Sequence, residues 1–342
     1  MTDVRADDIA EPARNPRTPG AGVVGGVIAG EGAAVPLIVP NAAITGEPVD
    51  APRTFVGDVW DQFKTHKGAL FGAIVFFAIL FLVTLGPLLW TLDPTYVDIR
   101  SRNQGPSLGH PLGTDQLGRD HLARLMQGGR ISMAVGMAAM FIALLLGTLV
   151  GVVAGFFKRW DGPLMRLTDL FLALPLLPLL LVIVTLFREP LSSRFGAETG
   201  IFILMVSAIG ITSWMQTARI VRGDVLGLKE REFVLAARSV GTRPRRIITR
   251  HILPNVLSPI MVSATLGVAN AIITESALSF LGLGFPPDFP TWGRLLYDAL
   301  TYMPQYPSWV IYPGLAISLT VLSVNYMGDG LRDALDPRIR GR

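Results

Sequence analysis

The sequence predicts an all-α integral membrane protein with six transmembrane helices and both termini in the cytoplasm. Three observations carry that prediction. Half of the 342 residues are hydrophobic and only 16% are charged, against about 25% charged in a typical soluble domain, so there are too few charges to cover a water-facing surface. The missing charges are concentrated. Residues 68–92, 131–157, 170–187, 199–218, 251–274 and 299–328 contain no Asp, Glu, Lys or Arg. Lys and Arg are also distributed unevenly between alternate loops. With the N-terminus inside, the inner segments hold 22 basic residues and the outer ones 7, the bias expected of cytoplasmic loops.

Each run is justified by length. A bilayer core about 30 Å thick needs roughly 20 helical residues, and the shortest of the six, residues 170–187, has 18. Separate segments in lipid must satisfy their own backbone polar groups, which leaves the helix as the economical form. Residues 1–52, rich in Gly, Ala and Pro, read as a disordered cytoplasmic tail without the basic start of a signal peptide. Residues 53–67 read as an amphipathic lead-in helix with Phe55, Trp60 and Phe63 towards lipid. The first transmembrane helix spans 68–92, an extracytoplasmic loop 93–127, a core of five further spans 128–331, and a cytoplasmic tail 332–342.

Composition also excludes functions. With no Cys in the chain there is no thiol nucleophile, disulfide framework, cysteine zinc site or lipidated Cys. The net charge of +4 calls for no nucleic acid, because loops held against anionic membrane lipid explain it. Lys64, Lys67, Lys158 and Lys229 are never preceded by Gly, so no phosphate-cradling Gly-Lys-Ser/Thr loop exists. The chain itself is expected to be no enzyme and to bind no cofactor.

The largest inner loop, residues 229–255, carries the function. Phe233, Ala237 and Val240 recur at i, i+4 and i+7, one apolar face of a short helix. Gly241 stands where that helix would end, suited to the left-handed C′ position. A second short helix leads through Ile252 to Pro254 and into the next span. The expected product is a helix–turn–helix knob with an apolar face and a basic rim, a docking element; an ordinary basic loop is the alternative on composition.

Ala236-Ala237, Gly241 and Ile252-x-Pro254 resemble the EAA loop of permease subunits of ABC importers, with Leu235 in place of the motif's Glu and Glu232 one turn earlier. Four segments extend the resemblance to the C-type permease of the peptide/nickel (dipeptide/oligopeptide) branch: His110–Asp120, Leu167–Pro175, Glu275–Gly293 and Pro313–Arg338. The resemblance covers roughly residues 60–340. It implies a type I importer permease in the bacterial inner membrane, forming half of a translocation path. It also implies four partners: a second permease subunit in a heterodimer, two cytoplasmic ATPase subunits that hold the ATP and Mg, and an extracytoplasmic substrate-binding protein. Glu232, Phe233, Ala236, Ala237, Gly241, Ile252 and Pro254 then form the ATPase-coupling loop. The cargo stays open among dipeptide, oligopeptide, nickel chelate and related solutes. An ion-coupled carrier or channel acting without an ATPase is the competing reading, weakened by spans that lack central charges.

Other residues invite two readings each. Glu275 and Asn325 are candidates for the translocation path, since intramembrane polar groups normally avoid lipid. Glu275 either meets a peptide amine or bonds backbone amides near the Gly282/Gly284 turn; Asn325 either lines the path or bonds a neighbouring helix. His110, Asp115, Asp120 and His121 resemble a ligand set, but Pro111, Gly113 and Gly118 mark turns and Asp120 suits a helix cap, so no metal site is assigned. Gly147, Gly151 and Gly155 form a small-residue stripe for close packing, against either another span of this chain or a partner.

Overall fold

The computed structural model describes residues 55–335. The expected tail 1–52 and residues 336–342 of the expected tail 332–342 lie outside the described residues, as do residues 53 and 54 and the Phe55 side chain. Among the described residues, six helices are long and apolar enough to cross a membrane. In chain order the elements are α1 (Phe55–Thr65), α2 (Lys67–Leu89), α3 (His121–Phe156), α4 (Lys158–Ala173), α5 (Leu176–Phe195), α6 (Ala197–Ile211), α7 (Trp214–Leu228), α8 (Glu232–Ser239), α9 (Pro244–Ile247), α10 (Leu253–Phe280), α11 (Trp292–Ala299) and α12 (Ser308–Leu335). The spans are α2, α3, α5, α6 with α7, α9 through α10, and α12. Six crossings bring the start of α2 and the end of α12 to one end of the bundle, where His66 lies 3.7 Å from Asp333. This end also carries α8; the long loop between α2 and α3 lies at the other.

The third span departs from the charge-free run at 170–187. Pro175 forces Leu174 into extended backbone (ψ 135°), as a residue before proline prefers. The run is therefore split: α4 ends at Ala173 and the span starts afresh at Leu176. Asp169 belongs to α4, outside the span, and pairs with Arg219. The last span also runs on to Leu335, four residues into the expected tail.

Packing follows the small residues. α3 lies along α7, α2 against α12, and α10 against both α3 and α12. The glycine stripe of α3 faces α7 of the same chain. A methyl group on Gly147 would sit 2.7 Å from the Trp214 carbonyl oxygen, and one on Gly151 2.7 Å from that of Ala218, so only glycine permits this approach. On α1, Trp60 is exposed and stacks on Phe63. Phe63 does not point away into lipid; it is half-buried beside Gly330 of α12.

At the loop end, the segment from His110 to Asp120 is pinned by ions. Asp120 caps α3, accepting from the Ala123 amide at 2.7 Å, and meets His110 Nδ1 at 2.9 Å and Trp90 Nε1 at 3.1 Å. Buried Asp115 pairs with Arg119 at 2.7 Å and Arg124 at 2.5 Å, and Arg124 reaches Asp298 at 3.2 Å. Burial pushes the Asp115 carboxyl up, but Arg124 and Arg119 together hold it below the usual carboxylate range. Asp115 and Asp120 are thus committed to arginines, a histidine and a helix cap.

Candidate functional site

The knob forms where three spans end. Val234 of α8 is 0% exposed. It packs into a cluster of Val152 from α3, Val221 and Val225 from α7, and Ile247, Ile252 and Val256 around the start of α10, with Ala237 half-buried against the same cluster. The inward stripe of α8 is therefore Val234 and Ala237 at i, i+3. This corrects the apolar face expected from Phe233, Ala237 and Val240. Phe233, Ala236 and Val240, at i, i+3 and i+7, lie outward, and Val240 is 81% exposed. The expected spacing joined residues from both faces, because an eight-residue helix with apolar groups all round gives periodicity little to choose between.

The ends of α8 are fixed by local chemistry. Glu232 occupies its first turn, where a carboxylate complements the helix dipole. Gly241 has φ of +74°. The Gly241 amide donates to the Arg238 carbonyl at 2.9 Å and the Thr242 amide to the Ala237 carbonyl at 3.0 Å, the paired bonds of a Schellman cap. Pro244 then opens α9 at a position where its missing N–H costs nothing. Further on, Pro254 has no N–H for the Arg250 carbonyl and its ring would crowd it. The helix widens into a π turn over Ile248–Ile252, with the Leu253 amide donating to the Ile248 carbonyl. That turn places Ile252 in the cluster and leaves Pro254 exposed at the start of α10.

Polar contacts tie the knob to the bundle. Lys229 Nζ donates to the Gly155 carbonyl at 3.2 Å, closing the end of α3. Arg238 lies 5.3 Å from the centroid of the Phe156 ring, and Phe233 lies 6.2 Å from the His251 ring. Nearby, Arg222 of α7 grips Asp161 of α4 through two bonds, of 2.5 and 2.8 Å. That grip holds the Asp161 carboxyl below the usual carboxylate range. Around the outward face, Arg231, Arg238, Arg243, Arg245, Arg246 and Arg250 are exposed. The arrangement is a rigid, capped helix with a small apolar surface inside a basic rim.

The structure thus brings Glu232, Phe233, Ala236, Ala237, Gly241, Ile252 and Pro254 to one place. Val234 and Lys229 belong with them and were missed. Val234 was masked by the Ala-Ala pair; Lys229 reads as one more loop cation until Gly155 is beside it. Glu275 and Asn325 are elsewhere. Glu275, on α10, is 0% exposed. It accepts from Ser279 Oγ at 2.7 Å, with Ser132, Thr291 and Ser276 hydroxyls also around it. Hydroxyls surround it where backbone amides were expected, and no face of it is open to a passing solute here. Asn325 is half-buried in α12.

Comparisons with known proteins agree with this architecture. Residues 143–341 match the family described as binding-protein-dependent transport system inner membrane component, and residues 54–106 match the N-terminal transmembrane domain of oligopeptide transport permease C. The chain is 38% identical to the dipeptide transport system permease protein DppC of Alkalihalophilus pseudofirmus, over 90% of this chain and 98% of that one. It is 37% identical to the oligopeptide transport system permease protein OppC of Bacillus subtilis, over 89% and 97%. Among solved structures, an inward-facing form of the MetNI methionine ABC transporter superposes with a TM-score of 0.51 at 18% identity, covering 62% of this chain and 97% of that one; this likeness concerns the fold. The chain therefore belongs to the family of binding-protein-dependent transport inner membrane components, as a multi-pass permease subunit of an ABC importer.

Proposed function

We propose that this chain imports peptides, pairing with a second, different permease subunit, two ATPase subunits and an extracytoplasmic binding protein, and that α8 is the element the ATPase grips. The observation that carries the docking reading is the seating of α8. Val234 anchors it, Gly241 caps it, and Phe233, Ala236 and Val240 are left outward and exposed, Phe233 with one edge against the His251 ring. An exposed apolar patch rimmed by charge is what a protein partner covers. Peptide cargo is supported by the printed functions of the dipeptide and oligopeptide relatives. ATP and Mg belong to the partners, since the chain has no Gly-Lys-Ser/Thr loop. The basic excess supports an orientation with the α8 end and both termini in the cytoplasm. In the expected cycle, closure of the ATPase pair displaces α8. Through the Val234 cluster that displacement reaches α3, α7 and α10 together, and the spans turn from inward- to outward-facing.

The chain lacks Cys, so Val240→Cys supplies a single reporter. The expected result is no reaction with an impermeant maleimide in intact cells, reaction after permeabilisation, and protection once the ATPase subunits are bound. Labelling from outside, or no protection by the ATPase, would remove the docking role. Proteoliposomes holding the whole complex and its binding protein should take up labelled tripeptide only with ATP.

A further inference from the structure

A second feature lies inside the membrane region, apart from the knob. A cavity of about 420 Å³ opens between α3, α4, α5, α7 and α10, within the 300–1,000 Å³ range of ligand pockets. It sits at two helix breaks, Leu174–Pro175 and Thr212–Ser213. Apolar groups such as Met140 and Leu176 form part of its wall. The rest is polar without charge: among the described residues, no Asp, Glu, Lys or Arg lines it.

All the hydroxyls there but that of Ser213 are already engaged. Thr212 donates to the Ala208 carbonyl at 2.7 Å, Thr274 to the Asn270 carbonyl at 2.8 Å, and Thr217 and Ser263 share a bond of 2.8 Å. The side-chain amides of Gln216 and Asn270 differ: both are exposed and have no hydrogen-bond partner among the described residues. Facing hydrocarbon, an unpaired amide is strongly disfavoured. These two amides therefore face water or a polar occupant.

We propose that this cavity is a transit site that holds the cargo by its internal peptide groups, through Gln216 and Asn270. The proposal rests on the peptide-importer reading and specifies what the membrane path recognises. A carboxamide offers one acceptor and two donors, the complement of a backbone C=O and N–H whatever the side chains are. The uncharged lining gives the ionic ends of a peptide no partner, and a transit site must release what it binds. The path residues of this subunit are then Gln216 and Asn270, in place of Glu275, which is enclosed, and Asn325, which does not line the cavity.

The test uses the assembled complex with its binding protein in proteoliposomes and a labelled tripeptide. The double variant Gln216→Leu/Asn270→Leu should still co-purify with its partners, while uptake falls about tenfold or more, from two lost hydrogen bonds. Separately, Leu176→p-benzoylphenylalanine on the cavity wall should photocrosslink to the labelled tripeptide during turnover, and the adduct should vanish in the double variant. Undiminished uptake, loss of co-purification, or crosslinks to the partner permease alone would each overturn the proposal; the last two would make this polar face a subunit contact. Absence of tripeptide uptake by the unsubstituted complex would instead sink the peptide reading itself, and this site with it.

Discussion

Val234→Ala tests whether α8 works as a rigid lever. Val234 is 0% exposed beneath α8, and α8 lies between the spans ending at Leu228 and starting at Pro244, so ordinary water-to-core energetics apply to it. The substitution removes two carbons worth ~0.8 kcal/mol each in transfer. A cavity term adds to this wherever the surroundings do not collapse, and Val152, Val221, Val225, Ile252 and Val256 are held by three separate spans. The total is about 2–3 kcal/mol, charged almost wholly to the seating of α8, because the spans keep their other contacts. At 1.4 kcal/mol per tenfold, the unseated population rises roughly 30- to 140-fold. Proteoliposomes would report this as fewer tripeptides imported per ATP hydrolysed, with the complex still assembled. Phe233→Ala is the counterpart: Phe233 lies outside the Val234 cluster, so the variant keeps that anchor and should weaken ATPase binding instead. If Val234→Ala leaves the transport-to-hydrolysis ratio unchanged, or if the two variants behave alike, the division of α8 into an anchored and a presented face is wrong.

Three further outcomes are expected. Gly241→Asp places a side chain where φ is +74° but nothing lies within 4 Å; the cost is conformational, about 1–2 kcal/mol, and should lower the transport-to-ATPase ratio without loss of membrane insertion. Gly151→Ala gains about 1 kcal/mol in helix propensity but sets its methyl 2.7 Å from a carbonyl oxygen and 2.8 Å from Val221 Cβ. An overpacking cost of about 1–3 kcal/mol against backbone that cannot swing aside should prevail, lowering the thermal midpoint of the purified complex. The depressed Asp115 carboxyl contributes stability that is present above its unfolded value near 3.9 and lost only as pH falls below that, so acidification to pH 5 should leave the loop end folded. In Asp115→Asn that pH dependence should disappear and limited proteolysis between residues 93 and 120 should increase.

What was legible in the sequence was whatever one chain segment determines alone. Charge-free runs place spans because burying a charge in lipid is costly for any neighbour. Gly241 marks a helix end because no other residue takes positive φ so cheaply. Asp120 caps α3 by bonding an amide three residues on. What was not legible depends on who stands opposite. The run at 170–187 reads as a span until Pro175 is given its effect on Leu174. The stripe at Gly147, Gly151 and Gly155 announces close packing but not that α7 fills it. Glu275 reads equally as a ligand and as a buried strut until Ser132 from α3 and Thr291 ahead of α11 are seen around it. Val234 and Ala237 face inward while Phe233, Ala236 and Val240 face outward, a distinction invisible in a stretch where both faces are apolar. That ambiguity has a physical cause. A helix that must be anchored to its own bundle on one side and gripped by another protein on the other needs apolar groups on both. Such a helix carries a weak periodic signal for the same reason that it can transmit force.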